Sequence, residues 1–242
     1  VDETKHSKPV CAITGGSSGI GLATAVLFAS KGYDVAVCGR SMEKLVAAKN
    51  KIVAVSEAEK LGHMFFQVDL NEPKQAVGFV KKVLHDVGKI DVLVNCAAVA
   101  PLSNFEDLSV ETFEATINVN MRSLFYLTQF AWKKMKEAGT GTVVNISSLS
   151  AVDPFPGFSL YGASKAWMDL MTHALAAEGQ EAGIRVCSIR PGAVETPLLR
   201  GLFPDFPADQ CSQPEDIAKM VWGCVDDPEK YPSGQAFEVE KS

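Results

Sequence analysis

The sequence predicts an α/β fold, a single doubly wound domain whose parallel strands carry helices on both faces. Three observations lead there. Short apolar runs alternate with longer stretches of helical periodicity almost without interruption over the 242 residues. Several of the runs are continuously apolar rather than alternating, the pattern of a strand buried on both sides. No linker, repeat or low-complexity tract divides the chain, so residues 1–242 read as one domain.

The elements follow in order. Pro9 to Thr14 is a buried strand closed by glycines, and Gly19 to Lys31 is a helix with Gly32 as its stop signal. Asp34 to Gly39 is the second strand, and Ser41 caps a helix running to about Leu61. Met64 to Val68 is the third strand, ending at Asp69. The helix from Pro73 to Val87 leads to a fourth strand, Ile90 to Asn95. One long amphipathic helix is expected from Val110 to about Ala138, then a strand from Thr142 to Ser147. Tyr161 to Ala182 is the next helix, Arg185 to Ile189 the sixth strand. Residues 196–213, rich in Pro, Leu and Phe, break the pattern and read as a short substrate lid. Pro214 to Asp226 is helical, and Ala236 to Val239 supplies the seventh strand.

Composition excludes several classes. With 47% apolar and 21% charged residues, the chain is neither disordered nor collagen-like. No run of 18 apolar residues exists, so no spanning helix and no membrane partner is expected. The polar start VDETKHSKPV lacks the apolar core of a signal peptide. A net charge of -6 argues against nucleic acid, and Lys133, Lys134 and Lys136 read as a solvated helix face. Six scattered cysteines without a CxxC pair, and four histidines without ligand spacing, indicate free thiols and no metal site. The expectation is a reduced, cytoplasmic protein, with organelle import left open should a leader have been removed.

The chemistry begins after the first strand, at Thr14-Gly15-Gly16-Ser17-Ser18-Gly19-Ile20-Gly21. A glycine-rich turn between strand and helix lets backbone approach a pyrophosphate, while the helix start offers free N–H groups and a positive dipole end. Gly15, Ser17, Ser18, Gly19, Ile20 and Gly21 are therefore dinucleotide-binding candidates. The second strand ends in Cys38-Gly39-Arg40-Ser41, with no carboxylate to meet a ribose 2′-OH. Arg40 can fork onto a 2′-phosphate, with Ser17 and Ser41 as donors, which favours NADP(H). Tyr161 and Lys165 stand one helical turn apart, on one face. An ammonium beside a phenol is expected to lower its pKa towards the working range. Alone, that pair is a common accident.

Together, TGGSSGIG, YGASK and the Pro191-Gly192 pair after the sixth strand resemble the short-chain dehydrogenase/reductase family, in its subfamily of about 250 residues, over essentially the whole chain. The resemblance implies a seven-stranded Rossmann sheet and nicotinamide-dependent hydride transfer between alcohols and carbonyls. It assigns Tyr161 as general acid–base and gives Lys165 the tuning of Tyr161 and the nicotinamide ribose. Ser148, thirteen residues before Tyr161, would hold the substrate oxygen. Asn120 would hold a relay water, with Asn118 the competing choice. By the same carry-over, Asp69 and Leu70 flank the adenine, while Asn95, Ala97, Pro191, Gly192, Val194 and Thr196 complete the cofactor site. One motif departs from the family: Asn95-Cys96-Ala97-Ala98 stands where Asn-Asn-Ala-Gly is usual, and Ala98 is expected to cause only a small shift. The final strand also lacks the family's paired glycines.

Apolar residues dominate the loops expected to wall the substrate pocket, from Pro101 and Leu102 through Phe155 and Phe158 to Phe203 and Phe206, with Arg200 the lone cation. That suggests an NADPH-dependent reductase of a small apolar ketone, aldehyde or dicarbonyl. The alternatives are a 3-oxoacyl-thioester reductase or a polyol or steroid dehydrogenase and, more remotely, a non-catalytic NADP(H) sensor. Excess apolar residues on the helices around Leu124–Met135 and Trp167–Leu175 point to self-association, as a homodimer or homotetramer.

Overall fold

The computed structural model describes residues 7–56 and 62–241. Seven strands form one sheet: β1 (Val10–Thr14), β2 (Asp34–Gly39), β3 (Met64–Gln67), β4 (Val92–Asn95), β5 (Gly141–Ile146), β6 (Ile184–Pro191) and β7 (Ala236–Val239). Their order is β3-β2-β1-β4-β5-β6-β7 and every pair is parallel. The order reverses between β1 and β4, so the loops leaving these two strands part and open a crevice at their carboxyl ends.

Alternation along β1 explains why the strands read as continuous apolar runs. Cys11 and Ile13 face a core built with α1 (Gly19–Ser30), α2 (Met42–Val55) and α8 (Pro214–Asp226). Val10 and Ala12 face the opposite core, with α3 (Pro73–Val87) and α5 (Ser123–Ala138). Each residue of β1 is buried, and burying a Val or Ile side chain is worth about 1.5–3 kcal/mol, so the sheet centre anchors the domain. Phe28 of α1 stacks edge-on with Trp222 of α8 at 5.3 Å, joining the two helices over the first core.

Several boundaries differ from the sequence expectation. The second helix ends at Val55, where Ser56 turns back to bond the Ile52 carbonyl. The expected continuation to Leu61 lies outside the described residues. The helix expected over residues 110–138 is three segments: α4 (Val110–Thr116), a π-helical turn at Ile117–Arg122, and α5. A π turn adds one residue to a helical turn without breaking the apolar face, so periodicity does not reveal it. The long helix α6 starts two residues early, at Ser159, and ends at Gly179 in a 3-10 turn, Gln180–Ala182. The lid contains α7 (Pro197–Leu202), capped by Thr196, whose hydroxyl accepts from the Leu199 amide at 3.2 Å.

Among the described residues, no helix is long and apolar enough to cross a membrane. No group of three His, Cys, Asp or Glu among them is placed to hold a metal ion. The described cysteines are free thiols, five of the six buried.

Candidate active site

The crevice between β1 and β4 is a cleft of about 550 Å³. Thr14, the last residue of β1, holds its two lips together: its hydroxyl accepts from the amides of Cys96 (3.0 Å) and Ala97 (3.1 Å). Gly15 then turns with φ of +67°, and a Cβ there would stand 3.0 Å from the Ala97 backbone. Glycine is therefore required twice over, by the left-handed backbone and by the close approach. Ser18 precedes α1 without a side-chain cap, and the first turn carries no acid. The leading N–H groups of α1 are left for an anion, which fits a pyrophosphate.

Most of the cofactor candidates line this cleft: Gly15, Ser17, Ser18, Gly19 and Ile20 on one side, Asp69, Leu70 and Ala97 on the other. Arg40 and Ser41 lie at one end and Thr196 also borders it. Lys44, overlooked in the sequence, lines the cleft beside Arg40, four residues on, in the first turn of α2. A lysine in the first turn after the Ser41 cap, close behind Arg40 in the chain, was the available signal. Val68, the only β3-end residue besides Asp69 and Leu70 on the cleft, adds an apolar floor.

Two cofactor candidates, Gly21 and Asn95, line neither this cleft nor the cavity beside it. Gly21 packs on the turn, where a Cβ would come within 2.5 Å of the Gly15 carbonyl oxygen. Its role is to seat α1 tightly against the glycine-rich turn. Asn95 is buried, and its side-chain amide donates to Asn145 (2.9 Å) and Thr128 (3.3 Å). This ties β4 to β5 and α5 beneath the cleft. Asn95 Oδ1 has no protein partner.

A second cavity of about 770 Å³ adjoins the first. The two share Ile20, Cys96, Ala98, Thr196 and Leu198, so the departures from the family motif, Cys96 and Ala98, lie at the junction. Pro191, Gly192 and Val194 border the second cavity rather than the cleft, as do Ser148, Tyr161 and Lys165. Ser148 leaves β5 in extended backbone and starts the 3-10 turn Leu149–Ala151. Its oxygen accepts from the Ser150 amide at 3.1 Å, which leaves the hydroxyl hydrogen to be donated. Gly162 explains how Tyr161 reaches Ser148: a Cβ there would sit 2.5 Å from the Ser150 carbonyl oxygen, so only glycine lets α6 lie flush on that turn.

The electrostatics depart from expectation. Burial pushes the Tyr161 phenol up to about 12, against a hydrogen bond with Ser148 that lowers it. The expected lowering by Lys165 is absent. Lys165 Nζ lies 5.6 Å from the Tyr161 ring centroid and donates to the Ile146 carbonyl at 2.6 Å. Burial pulls Lys165 itself down to about 8, so its own charge is penalised in the same apolar enclosure. The phenol is thus held as a proton donor.

Asn120 sits in the π turn and touches neither cavity. Its amide pairs with Val99 in both directions, accepting from N–H and donating to C=O at 2.9 Å each, and also donates to Ser164 at 2.9 Å. It thereby fixes the strand-end loop against α6, one residue from Lys165. Asn118, its competitor, is turned away and donates to Asn71 at 3.2 Å.

The family model for short chain dehydrogenase matches residues 9–206. The chain is 33% identical over 241 residues to the 3-oxoacyl-acyl-carrier-protein reductase FabG of Thermotoga maritima, covering 96% of each protein. It is 31% identical over 238 residues to the acetoacetyl-CoA reductase of Allochromatium vinosum, covering 95% of this chain and 96% of that one. Among solved structures, the 3-ketoacyl-acyl-carrier-protein reductase of Brucella melitensis complexed with NADH superposes with a TM-score of 0.84 at 28% identity, over 96% of both chains.

Proposed function

Because the chain belongs to the short-chain dehydrogenase/reductase family and is an oxidoreductase acting on the CH–OH/C=O couple, we infer that it reduces the keto group of a 3-oxoacyl thioester to the 3-hydroxy compound, using NADPH. The observation that carries this reading is the Ser148–Tyr161 donor pair at the junction of a dinucleotide cleft and an apolar cavity. The choice among carbonyl compounds follows the relatives: 3-oxoacyl and acetoacetyl thioester reductases match over nearly the whole chain. The small apolar ketone favoured by the loop composition becomes the second reading, supported by a cavity whose one lysine is Lys165 and which holds no arginine.

When bound, the reduced nicotinamide supplies the hydride. The chain supplies the rest. The amides leading α1 and the Gly15 turn would hold the pyrophosphate, and Arg40 with Lys44 would meet a 2′-phosphate. Ser148 donates a hydrogen bond to the carbonyl oxygen, and Tyr161 donates the proton as charge builds there. Lys165 Nζ, anchored on the Ile146 carbonyl and 5.6 Å from the Tyr161 ring centroid, would hold the nicotinamide ribose beside the phenol. Asn120 holds the backbone around α6 so that Tyr161 and Lys165 keep their spacing.

Loss of NADPH absorbance with acetoacetyl-CoA, a cyclic diketone and a sugar tests the reading. Turnover with acetoacetyl-CoA supports it. Turnover with the diketone alone moves the assignment to the second reading. Tight NADPH binding with no turnover on any of the three would make the chain a sensor and overturn both.

A further inference from the structure

Arg200 is the cation that the sequence places at the mouth of the substrate cavity, where it looks free to meet an anionic substrate group. In the structure its guanidinium is committed elsewhere. Nε donates to Glu195 Oε1 at 2.7 Å and a terminal nitrogen donates to Glu195 Oε2, forming a two-point fork. The other terminal nitrogen donates to two backbone carbonyls, Pro204 at 3.0 Å and Phe206 at 2.6 Å. One side chain thus ties the start of the lid to its middle.

Glu195 is a fixed anchor for this fork. Its amide donates to the Ser212 carbonyl at 3.0 Å, and the Ser212 amide returns to Ala193 at 2.9 Å, so the chain entering the lid pairs with the chain leaving it. Between these points hang Phe203 and Phe206, which wall the cavity. Phe203 lies 6.2 Å from Phe158, and Phe158 lies 5.2 Å from the Tyr161 ring. Arg200 thus grips the chain at Pro204 and Phe206, directly after Phe203, and the Phe206 amide donates back to the Phe203 carbonyl at 3.2 Å; from Phe203 the ring contacts run through Phe158 to the proton donor.

We propose that Arg200, clamped on Glu195, is a positioning residue that sets the size of the substrate cavity by holding Phe203 and Phe206 in place. The planar fork suits a carboxylate and two carbonyls at once, which an ammonium on a flexible stem does not reproduce. The role rests on the reading that this cavity receives the carbonyl substrate. It makes Arg200 a determinant of which substrates fit, without contact to the reacting atoms.

The test uses the full chain with Arg200→Met, the milder Arg200→Lys, and Glu195→Gln. Hydrogen exchange of lid peptides, NADPH affinity by fluorescence, and KM and kcat for acetoacetyl-CoA and for ethyl benzoylacetate, which carries a phenyl in place of methyl on its keto carbon, are measured. In Arg200→Met, exchange at the Phe203 and Phe206 amides should rise at least about tenfold, the loss of a clamp worth a tenfold change in the opening equilibrium. KM for acetoacetyl-CoA should rise about tenfold with kcat within about twofold, and preference should shift towards the phenyl ketone. Arg200→Lys and Glu195→Gln should show the same signs at smaller size, with NADPH affinity unchanged. Unaltered lid exchange and KM in Arg200→Met would overturn the proposal. So would a collapse of kcat and NADPH affinity in all three variants, which would mark a general structural role. If the wild-type chain reduces neither probe while lid exchange responds as described, the substrate assignment fails and the clamp stands.

Discussion

Replacing Lys165 with methionine should stabilise the folded chain while abolishing turnover. The ammonium is 1% exposed, and burial lowers its pKa from 10.5 to about 8. At about 1.4 kcal/mol per tenfold change in proton affinity, the native state holds this charge at neutral pH against a penalty of about 3 kcal/mol. Methionine removes the penalty at similar volume but strands the Ile146 carbonyl, bonded by Nζ at 2.6 Å, at a cost of about 1 kcal/mol. The net gain is about 2 kcal/mol at pH 7, a rise in Tm of about 5 °C for a chain of this size. The sign with pH follows from the lowered pKa. Between about 8 and 10.5 the unfolded lysine binds a proton that the folded one has lost, so wild-type stability climbs through that window and the advantage of the variant fades. Urea denaturation of both proteins at pH 7, 8, 9 and 10 measures it. A variant less stable than wild type at pH 7, or an advantage that does not shrink with rising pH, would refute the reasoning.

Other outcomes follow from the same geometry. Arg40→Asp should lower the NADPH-over-NADH preference by about 10–100-fold, the worth of a charge-assisted hydrogen bond, read from the ratio of kcat/KM values for the two cofactors. Reduction should slow as pH rises through about 8, where Lys165 loses its charge, and alcohol oxidation should quicken with pH because Tyr161 stays protonated to about 12. A pH profile in both directions checks this, and a flat profile contradicts it. Phe113, Phe125 and Leu170 stand 47, 42 and 70% exposed on α4, α5 and α6. Light scattering at micromolar concentration should therefore report a homo-oligomer, which Leu170→Glu splits into smaller species.

Much of this fold is legible in the sequence because β1, β2 and β4–β6 are buried on both faces, and continuous apolar runs record that directly. The glycine-rich turn is legible because its glycines answer to local geometry, a positive φ at Gly15 and Gly19. The π turn was not legible, since Asn120 and its neighbours keep the composition of an ordinary helix. Nor was the electrostatic balance at Tyr161. Helical spacing puts Lys165 beside the phenol, but the depth of burial, which decides the direction of both pKa shifts, depends on how α6 packs against β5 and the turn after it. Arg200 shows the same limit: a charge counted along the chain looks available until the carbonyls of residues 204 and 206 are seen to occupy it.

The central assignment, a buried phenol handing its proton to a keto oxygen beside Ser148, is tested most directly by Tyr161→Phe. The ring and its packing against Phe158 remain, and only the hydroxyl is lost. NADPH-dependent reduction of acetoacetyl-CoA should fall about 10²–10⁴-fold with NADPH affinity unchanged. Reduction at the wild-type rate would contradict it.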